Sequence, residues 1–502
     1  MKKTITLILV FLMLAGLMFG AVGCKNDGSG ENGPVSTPTD AETSENENLL
    51  ADLPQKNFST DGAPAEFNIL NVEVSWGHYQ MTSDDITTVI NSAVFSRNSF
   101  VEEQLGVVIE ETVLGADAIV SQMQNLHLSG TYQYDICYNI VRYQNNLLQY
   151  GTYLPVSDYD NYIDLSKPWW YEDELEALTI NNNCYILAGD LNLIRNEAMW
   201  TIVFNRDILT NFGLESPYDL IERNEWTFEK MYQLGLDSWV EDSGKYAITS
   251  HFNVCTAFIV AADLHLVVKD DVNGLVRAEI DDHFVKVMED TIHYFFEDNG
   301  MGKRNGIKTS YESNNFKNGN FGPQTTSFYH VRPFTEGNTT FMASPLGEMT
   351  VMVLGSGINY GFAPMPKYTS DQQYFNTCVY SAFSALSIPV EVDAEDGRLE
   401  RVGTVLEWLN AYSYDIVRPA YYEHILYGRL LQEPQAVTAL DIILASDPRG
   451  KAVLELDQVF KFGMADKLAL SMSDCKPSFN IAVRTIREIV DDNIATTVKY
   501  YK

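Results

Sequence analysis

Cys24 carries the most specific chemistry in this 502-residue chain. It closes the run Ala21-Val22-Gly23-Cys24, behind Lys2, Lys3 and an apolar stretch from Ile5 to Phe19. A thiol placed after a charged start, an apolar segment and small residues is where a bacterial secretory signal ends in a lipobox. The sulfur would take a lipid there, and Cys24 would become the mature N-terminus. The rival is a plain secretory signal, since Ala21-x-Gly23 also fits a small-residue cleavage site and lipoboxes prefer Leu where Ala21 stands. The apolar stretch is too short for a membrane-spanning helix, which needs about 20 apolar residues.

Other reactive residue types form no set. Five further cysteines stand at Cys137, Cys184, Cys255, Cys378 and Cys475, with no CxxC pair and no four-ligand zinc spacing. Cys137, Cys255 and Cys378 lie in apolar, strand-like contexts (YDICYNIV, NVCTAFIV, NTCVYSAF), which suit buried free thiols. The eight histidines form no cluster of metal-ligand spacing. There is no GxSxG elbow, no HExxH and no GxxxxGK[ST] phosphate loop. The acidic segment around Asp270 fails as a calcium loop, because Lys269 and Ile280 fall where Asp and Glu are needed. Pairs such as Asp281-Asp282 and Asp491-Asp492 read as solvated helix faces. No catalytic residue, metal or cofactor is implied.

The aromatics are the remaining chemistry: 7 Trp, 28 Tyr and 25 Phe. Rings beside amides and carboxylates hold sugars, because C–H faces stack on them and hydroxyls find donors and acceptors. Charge narrows the partners. With 68 acidic against 34 basic residues and a formal charge of -34, the surface repels phosphate backbones and anionic lipid. Nucleic acid is excluded as a partner. Attachment to a membrane would come from a lipid on Cys24.

These residues need elements to position them. Residues 25 to about 65 are rich in Asn, Glu, Asp, Ser, Thr, Gly and Pro, too polar to offset the entropy of ordering, and read as a tether. Beyond it, FNILNVEV (67–74), VVIEETVL (107–114) and YDICYNIV (134–141) read as strands. Ile86, Val89, Ile90, Ala93 and Val94 mark one helix face between the first two, with a stop at Leu105-Gly106. Ile119, Met123 and Leu126 mark another helix before the third strand. This β-α-β-α-β order predicts parallel strands with crossover helices, whose ligands bind beyond the carboxyl ends of the strands. Thr227 caps a helix carrying Phe228, Met231 and Tyr232, and Phe284, Val287, Met288, Ile292 and Phe295 form a further amphipathic one. Asn273-Gly274 predicts a hairpin. From Val402 onward the pattern is helical.

An ordered series of segments then carries a resemblance: YDICYNIV…GTYLPVSDY, PWW, AGDLNL…EAMWTIVFNRDIL, EWTFEKM, EGNTTFMASPLGEM, INYGFAPMPKYTSDQQYF…SAFSALSIP and WLNAYS…PAYYEHIL…ALDIILAS. Over residues 66–502 the chain resembles the family-one extracellular solute-binding proteins, the maltose-binding-protein-like receptors that deliver sugars to ATP-driven (ABC) importers. The resemblance implies an α/β, periplasmic-binding-protein-like fold: two α/β lobes joined by a hinge, with a ligand cleft between them. It implies a signal peptide over 1–23, the lipidated cysteine and tether over 24–65, a first lobe over 66–190 with 362–390 returning to it, and a second lobe over 195–360 with the helical region 395–502. The first crossing falls near Asp190–Trp200 and the second just after Ile388-Pro389. The strand GFAPMPK is expected to return to the first lobe.

The resemblance also places ligand-binding positions. Trp76 lies in the loop after the first strand. Asn139 and Arg142 follow YDICY. Glu197 and Trp200 flank the first crossing. Leu346, Gly347 and Glu348 follow TTFMAS, and Tyr380 precedes the second crossing. At Ser344-Pro345-Leu346 the chain departs from relatives that carry an aromatic ring in that turn. Each position has a structural alternative: Arg142 suits an ion pair, Glu197 a helix N-terminus, and Trp169, Trp170 and Trp226 suit core packing. Trp76 and Trp200 are the expected stacking rings.

Three functions remain in view. The first is a lipid-anchored, monomeric, extracytoplasmic receptor, not an enzyme, that binds a sugar or oligosaccharide and meets the permease subunits of an ABC importer. The second is a secreted glycosidase, which needs two carboxyls about 5–10 Å apart across a sugar. The third is a surface sensor or adhesion module on the same fold. For the anchor, metabolic labelling with a radioactive fatty acid is expected to mark the wild-type chain and not Cys24→Ser; equal labelling of both rejects lipidation at Cys24.

Overall fold

The computed structural model describes residues 49–240, 243, 245–250, 254–270, 274–295, 307–309, 330–394, 397–425, 433–459 and 479–501. The signal, Cys24 and most of the tether lie outside them, as do Asn273 and Cys475. The strands in chain order are β1 (Ala65–Val72), β2 (Val107–Leu114), β3 (Ile136–Ile140), β4 (Trp200–Asn205), β5 (Tyr246–Ser250), β6 (Val267–Asp270), β7 (Gly274–Arg277), β8 (Ile307–Thr309), β9 (Thr339–Pro345), β10 (Tyr360–Pro364), β11 (Phe375–Cys378), β12 (Ser384–Ser387) and β13 (Gly450–Val453).

The first sheet has the order β12-β3-β1-β2. β1 runs parallel to β2 and to β3, joined through the helices Val89–Leu105 and Ala116–Ser129, as the alternating periodicities predict. Thr88 caps the first helix by accepting from Asn91 N–H at 3.1 Å, so that helix starts after Ile86, which is left exposed. Gly106 closes it in the left-handed region at φ 62°. β12 pairs antiparallel with β3 and brings the chain's late segment back to this sheet.

The second sheet has the order β10-β4-β9-β5-β8. β4 is antiparallel to both β9 and β10, and β5 is parallel to β9 and β8. Every residue of β4 and β9 is buried, so both strands are covered on two faces. β6 and β7 form the expected hairpin, and β11 and β13 a small parallel pair. Thr227 caps the helix Phe228–Asp237 as expected, accepting from Lys230 N–H. Leu53–Lys502 form one compact unit.

Three expectations are corrected. GFAPMPK does not return to the first lobe. β10 pairs residue for residue with β4, Tyr360 against Asn205 through Pro364 against Thr201, and only β12 rejoins the first sheet. The C-terminal helices do not pack mainly on the second lobe. Arg398–Tyr412 and Arg418–Ile425 lie against the helix Val89–Leu105 of the first, and Pro434–Ile443 lies against β10 of the second. The first arrangement follows from buried Val402, Val405, Leu406 and Leu409, and from Phe100 meeting Tyr412 with ring centroids 4.5 Å apart. Cys255 belongs to the helix Val254–Ala261, not a strand, because a short run apolar on every side has no period to tell the two apart. Cys137, Cys184 and Cys378 are all buried, as apolar contexts predict for the first and last.

Trp169, Trp170 and Trp226 are core residues. The indole N–H groups of Trp169 and Trp170 both donate to Glu407 at 3.0 Å, and that of Trp226 to Pro364 O at 2.8 Å. The β10–β4 pairing has its own test. Gly361 faces Phe204, and a Cβ there would lie 2.3 Å from the ring. Gly361→Ala is expected to lower stability by about 1–3 kcal/mol in urea unfolding, the usual cost of overpacking; no loss would mean β10 does not lie against Phe204.

Candidate functional site

The loop after β1 is held by one carboxylate. Glu111 on β2 accepts from the backbone N–H groups of Met81 and Thr82, from Thr82 Oγ1 and from Asn71 Nδ2. Arg97, wholly buried, binds Met81 O, Leu191 O at 3.2 Å and Ser413 Oγ at 2.9 Å. These bonds fix Trp76-Gly77-His78 against the crossing segment.

The crossing brings in Glu197. Asn192 Oδ1 accepts from Ile194 N–H at 2.8 Å and starts the helical turn Ile194–Glu197, at whose end Glu197 has no exposed surface. Its carboxylate accepts from the His78 backbone N–H, from His78 Nδ1 at 2.6 Å and from Thr350 Oγ1 at 3.1 Å. Thr350 comes from the π-helical turn Met349–Val353, which follows β9 and the short helix Leu346–Glu348. Two histidines and a tyrosine complete the cluster: the His78 ring lies edge-on to His424 at 5.3 Å and to Tyr421 at 6.5 Å.

The electrostatics follow from this packing. Burial works against charge on His78, but the negative charge and hydrogen bond of Glu197 outweigh it and raise its pKa. His424 is lowered, first by burial and then by His78 beside it. The Tyr421 hydroxyl is raised well above its ordinary value by burial, then by the Glu197 charge.

Aromatic rings stand next to the cluster. Tyr380 meets Trp76 at 5.6 Å and Trp200 at 5.8 Å, edge-on to both. Its backbone N–H donates to Ala198 O at 2.7 Å. The seam is tight: a Cβ at Gly347 would lie 2.6 Å from Trp76 O and 3.0 Å from Glu197 Cβ. Gly347 is the position that lets the turn after β9 touch the loop after β1.

Among the expected residues, the structure thus gathers Trp76, Glu197, Trp200 and Tyr380, with the turn carrying Leu346, Gly347 and Glu348. Leu346 is buried and donates its N–H to Met199 O at 2.8 Å. Glu348 turns to His330, with Nε2 2.6 Å away, not to Glu197. Asn139 is spent inside the first lobe: its Nδ2 donates to Ala116 O at 3.1 Å and its Oδ1 accepts from Ile140 N–H at 2.8 Å. Arg142 lies over the neighbouring Tyr143 ring, 5.6 Å from its centroid. His78, Thr350, Tyr421 and His424 escaped the sequence reading. They come from three distant segments with no shared spacing, and only the Trp76-Gly77-His78 adjacency offered a signal. Among the described residues, no group of three or more His, Cys, Asp or Glu side chains is placed to hold a metal ion.

No family model matches the chain, and no curated protein matches it significantly in sequence. Solved structures do. The chain is similar to a cyclic alpha-maltosyl-1,6-maltose binding protein from Arthrobacter globiformis, with a TM-score of 0.57 and 11% identity over 86% of this chain and 99% of that one. It is similar to an ABC substrate-binding protein from Listeria monocytogenes in complex with cycloalternan (TM-score 0.54, 10% identity, 87% and 99% covered). It is also similar to UgpB from Mycobacterium tuberculosis in complex with glycerophosphocholine (TM-score 0.54, 13% identity, 86% and 99% covered). The fold is that of the ABC substrate-binding proteins. In this substrate-binding-protein fold the cluster around Glu197 lies where the segment joining the two sheets meets the loops that follow β1 and β9.

Burial changes what the rings do. Trp200 is 1% exposed and Trp76 8%, so both pack as core in this arrangement. Trp200→Ala is therefore expected to lower stability by about 3–5 kcal/mol, the cost of emptying a buried tryptophan site. Urea unfolding measures it; a loss under about 1 kcal/mol would show that the ring is not core.

Proposed function

We propose that the protein is a member of the family-one solute-binding proteins: a lipid-anchored extracytoplasmic receptor that captures a carbohydrate and passes it to an ABC importer. The observation carrying this reading is the seam itself, where Trp76, Tyr380 and Trp200 from separate segments stand beside a buried, hydrogen-bonded carboxylate between two lobes. When the lobes part, these rings become the apolar faces on which sugar C–H groups stack. Trp76, Trp200, Tyr380 and the turn Leu346–Glu348 form the binding wall, and Arg142 acts at its edge. The receptor works as a monomer, held to the membrane by the lipid on Cys24; no described helix is long and apolar enough to cross a membrane.

A neutral sugar suits the seam better than a phosphodiester. Arginines of the crossing and of the helix Arg418–Ile425 are already paired: Arg195 with Glu174 at 2.6 Å and Arg418 with Asp190 at 3.6 Å. The glycosidase reading is disfavoured, because Glu197 is committed to three donors and Glu348 to His330. Glycoside cleavage needs two carboxyls about 5–10 Å apart and free to act on the sugar.

A thermal-shift panel of mono- and oligosaccharides, with glycerophosphodiesters as the contrast, tests the reading. At a hundredfold excess over the dissociation constant, a cognate solute is expected to add about 2.7 kcal/mol of stability. Stabilisation by glycerophosphodiesters alone would overturn the carbohydrate assignment, and time-dependent release of product from a bound glycan would overturn the receptor.

A further inference from the structure

We propose that Glu197 is a pH-sensitive latch between the two lobes, engaged by His78 from the first and by Thr350 from the second; as a regulation of the site, this rests on the receptor reading above. The geometry is that of a clasp. One oxygen, Oε1, accepts both His78 Nδ1 at 2.6 Å and Thr350 Oγ1 at 3.1 Å, while Oε2 accepts the His78 backbone N–H. His78 stands in the loop after β1, Thr350 in the turn after β9, and Glu197 on the segment that joins the lobes. Glycines allow the contact from both directions. A Cβ at Gly77 would lie 2.3 Å from Glu197 Oε2, and one at Gly347 2.6 Å from Trp76 O.

A carboxylate without exposed surface needs its donors, since leaving it buried and unpaired is costly. Parting the lobes removes them, so the latch favours the closed arrangement. The His78 side chain is 28% exposed and exchanges protons with solvent without unfolding. The titratable groups facing His78 are Glu197 on the crossing and Tyr421 and His424 on the helix Arg418–Ile425; on the opposing turn, Glu348 is turned to His330.

The sign follows from these neighbours. In the closed seam Glu197 holds the His78 proton more tightly than water does, despite burial, while burial and then His78 lower the pKa of His424, whose contribution to closure has the opposite sign. A histidine whose pKa is raised on closing stabilises the closed form fully below its ordinary value of 6.5. That stabilisation is lost as pH rises through the raised value. The His78 latch therefore favours closure, and with it solute retention, in acid over mild base, against the smaller pull that His424 exerts the other way.

The test is amide hydrogen exchange on the full chain without solute, following peptides that cover 74–80 and 345–352 and correcting for intrinsic rates. Exchange is expected to be several-fold slower at about pH 5.5 than at about pH 8.5, on either side of the histidine range. His78→Gln and Glu197→Gln should each abolish the difference. Thr350→Val should keep it while speeding exchange of 345–352 at both pH values. If Glu197→Gln fails to fold, His78→Gln and Thr350→Val still decide. A wild-type chain with no pH difference, or a His78→Gln chain that keeps the full difference, overturns the latch. A chain that shows the exchange pattern but binds no solute overturns the receptor reading and leaves the latch standing. Equal glycan affinity at both pH values with flat exchange does the reverse.

Discussion

A carboxylate sealed from water constrains everything around it. Glu197 has no exposed surface, so its charge must be met by protein donors, and those donors come from parts of the chain more than a hundred residues away on either side. Satisfying it requires the loop after β1, the crossing segment and the turn after β9 to be in register at once. Losing one donor would leave a buried charge partly unpaired, a larger penalty than the worth of one more surface contact. The seam is consequently cooperative. Side-chain volume is trimmed to glycine at Gly77 and Gly347, which permits the contact.

The crossing that carries Glu197 is itself pinned by a buried polar network. Asp190 accepts from the Tyr171 hydroxyl at 2.5 Å and faces Arg418 at 3.6 Å. Asn196 Nδ2 donates to the same hydroxyl at 2.9 Å, and the Arg195 guanidinium lies 4.1 Å from the Tyr171 ring centroid while pairing with Glu174. Leu191 N–H donates to Asn410 Oδ1 at 2.9 Å, and Gly189 leaves no room for a Cβ beside that oxygen. These bonds hold residues 189–197 in place from several segments at once. Two π-helical turns supply contacts to this frame: Met349–Val353 presents Thr350 to Glu197, and Ser413–Val417 presents Ser413 to Arg97. Such turns often mark positions where a helix gives up regularity to aim a side chain.

How far the sequence disclosed this depends on whether the determining forces are local. The β-α-β-α-β start was legible because each element announces itself by period: alternation or an apolar run for β1, β2 and β3, a three-to-four spacing for the helices between them, and glycine at Gly106 to stop the first. Strand β10 was legible as a strand but not as a member of the second sheet. Which sheet accepts an apolar five-residue strand is decided by its partner, and here Phe204 opposite Gly361 decides it. The C-terminal helices were readable as helices, while their docking on the helix Val89–Leu105 depends on Phe100, Trp408 and Tyr412 meeting in space. Arg142 follows the end of β3, where ligand contacts are common, but Asn139 lies within the strand and its amide is consumed by the backbone of its own lobe.

The site tells the same story at finer grain. Trp76, Trp200 and Tyr380 stand out in the sequence because the resemblance to solute-binding proteins places ligand contacts there. His78, Tyr421 and His424 do not, since a lone histidine or a tyrosine in a helical run is ordinarily packing. What changes their status is the carboxylate they surround, because proximity to a buried charge gives an otherwise unremarked histidine a shifted affinity for its proton. Structural similarity at 10–13% identity carries the two-sheet frame across and leaves such side chains free to vary. Proteins of this frame are solved with ligands as different as cycloalternan and glycerophosphocholine. Under the receptor reading proposed above, ligand choice falls to the few side chains at the seam, and in this chain those are edge-on rings beside a carboxylate whose donors come from the protein itself. In that reading a carboxylate already met by internal donors leaves selectivity to shape, ring stacking and hydroxyl geometry.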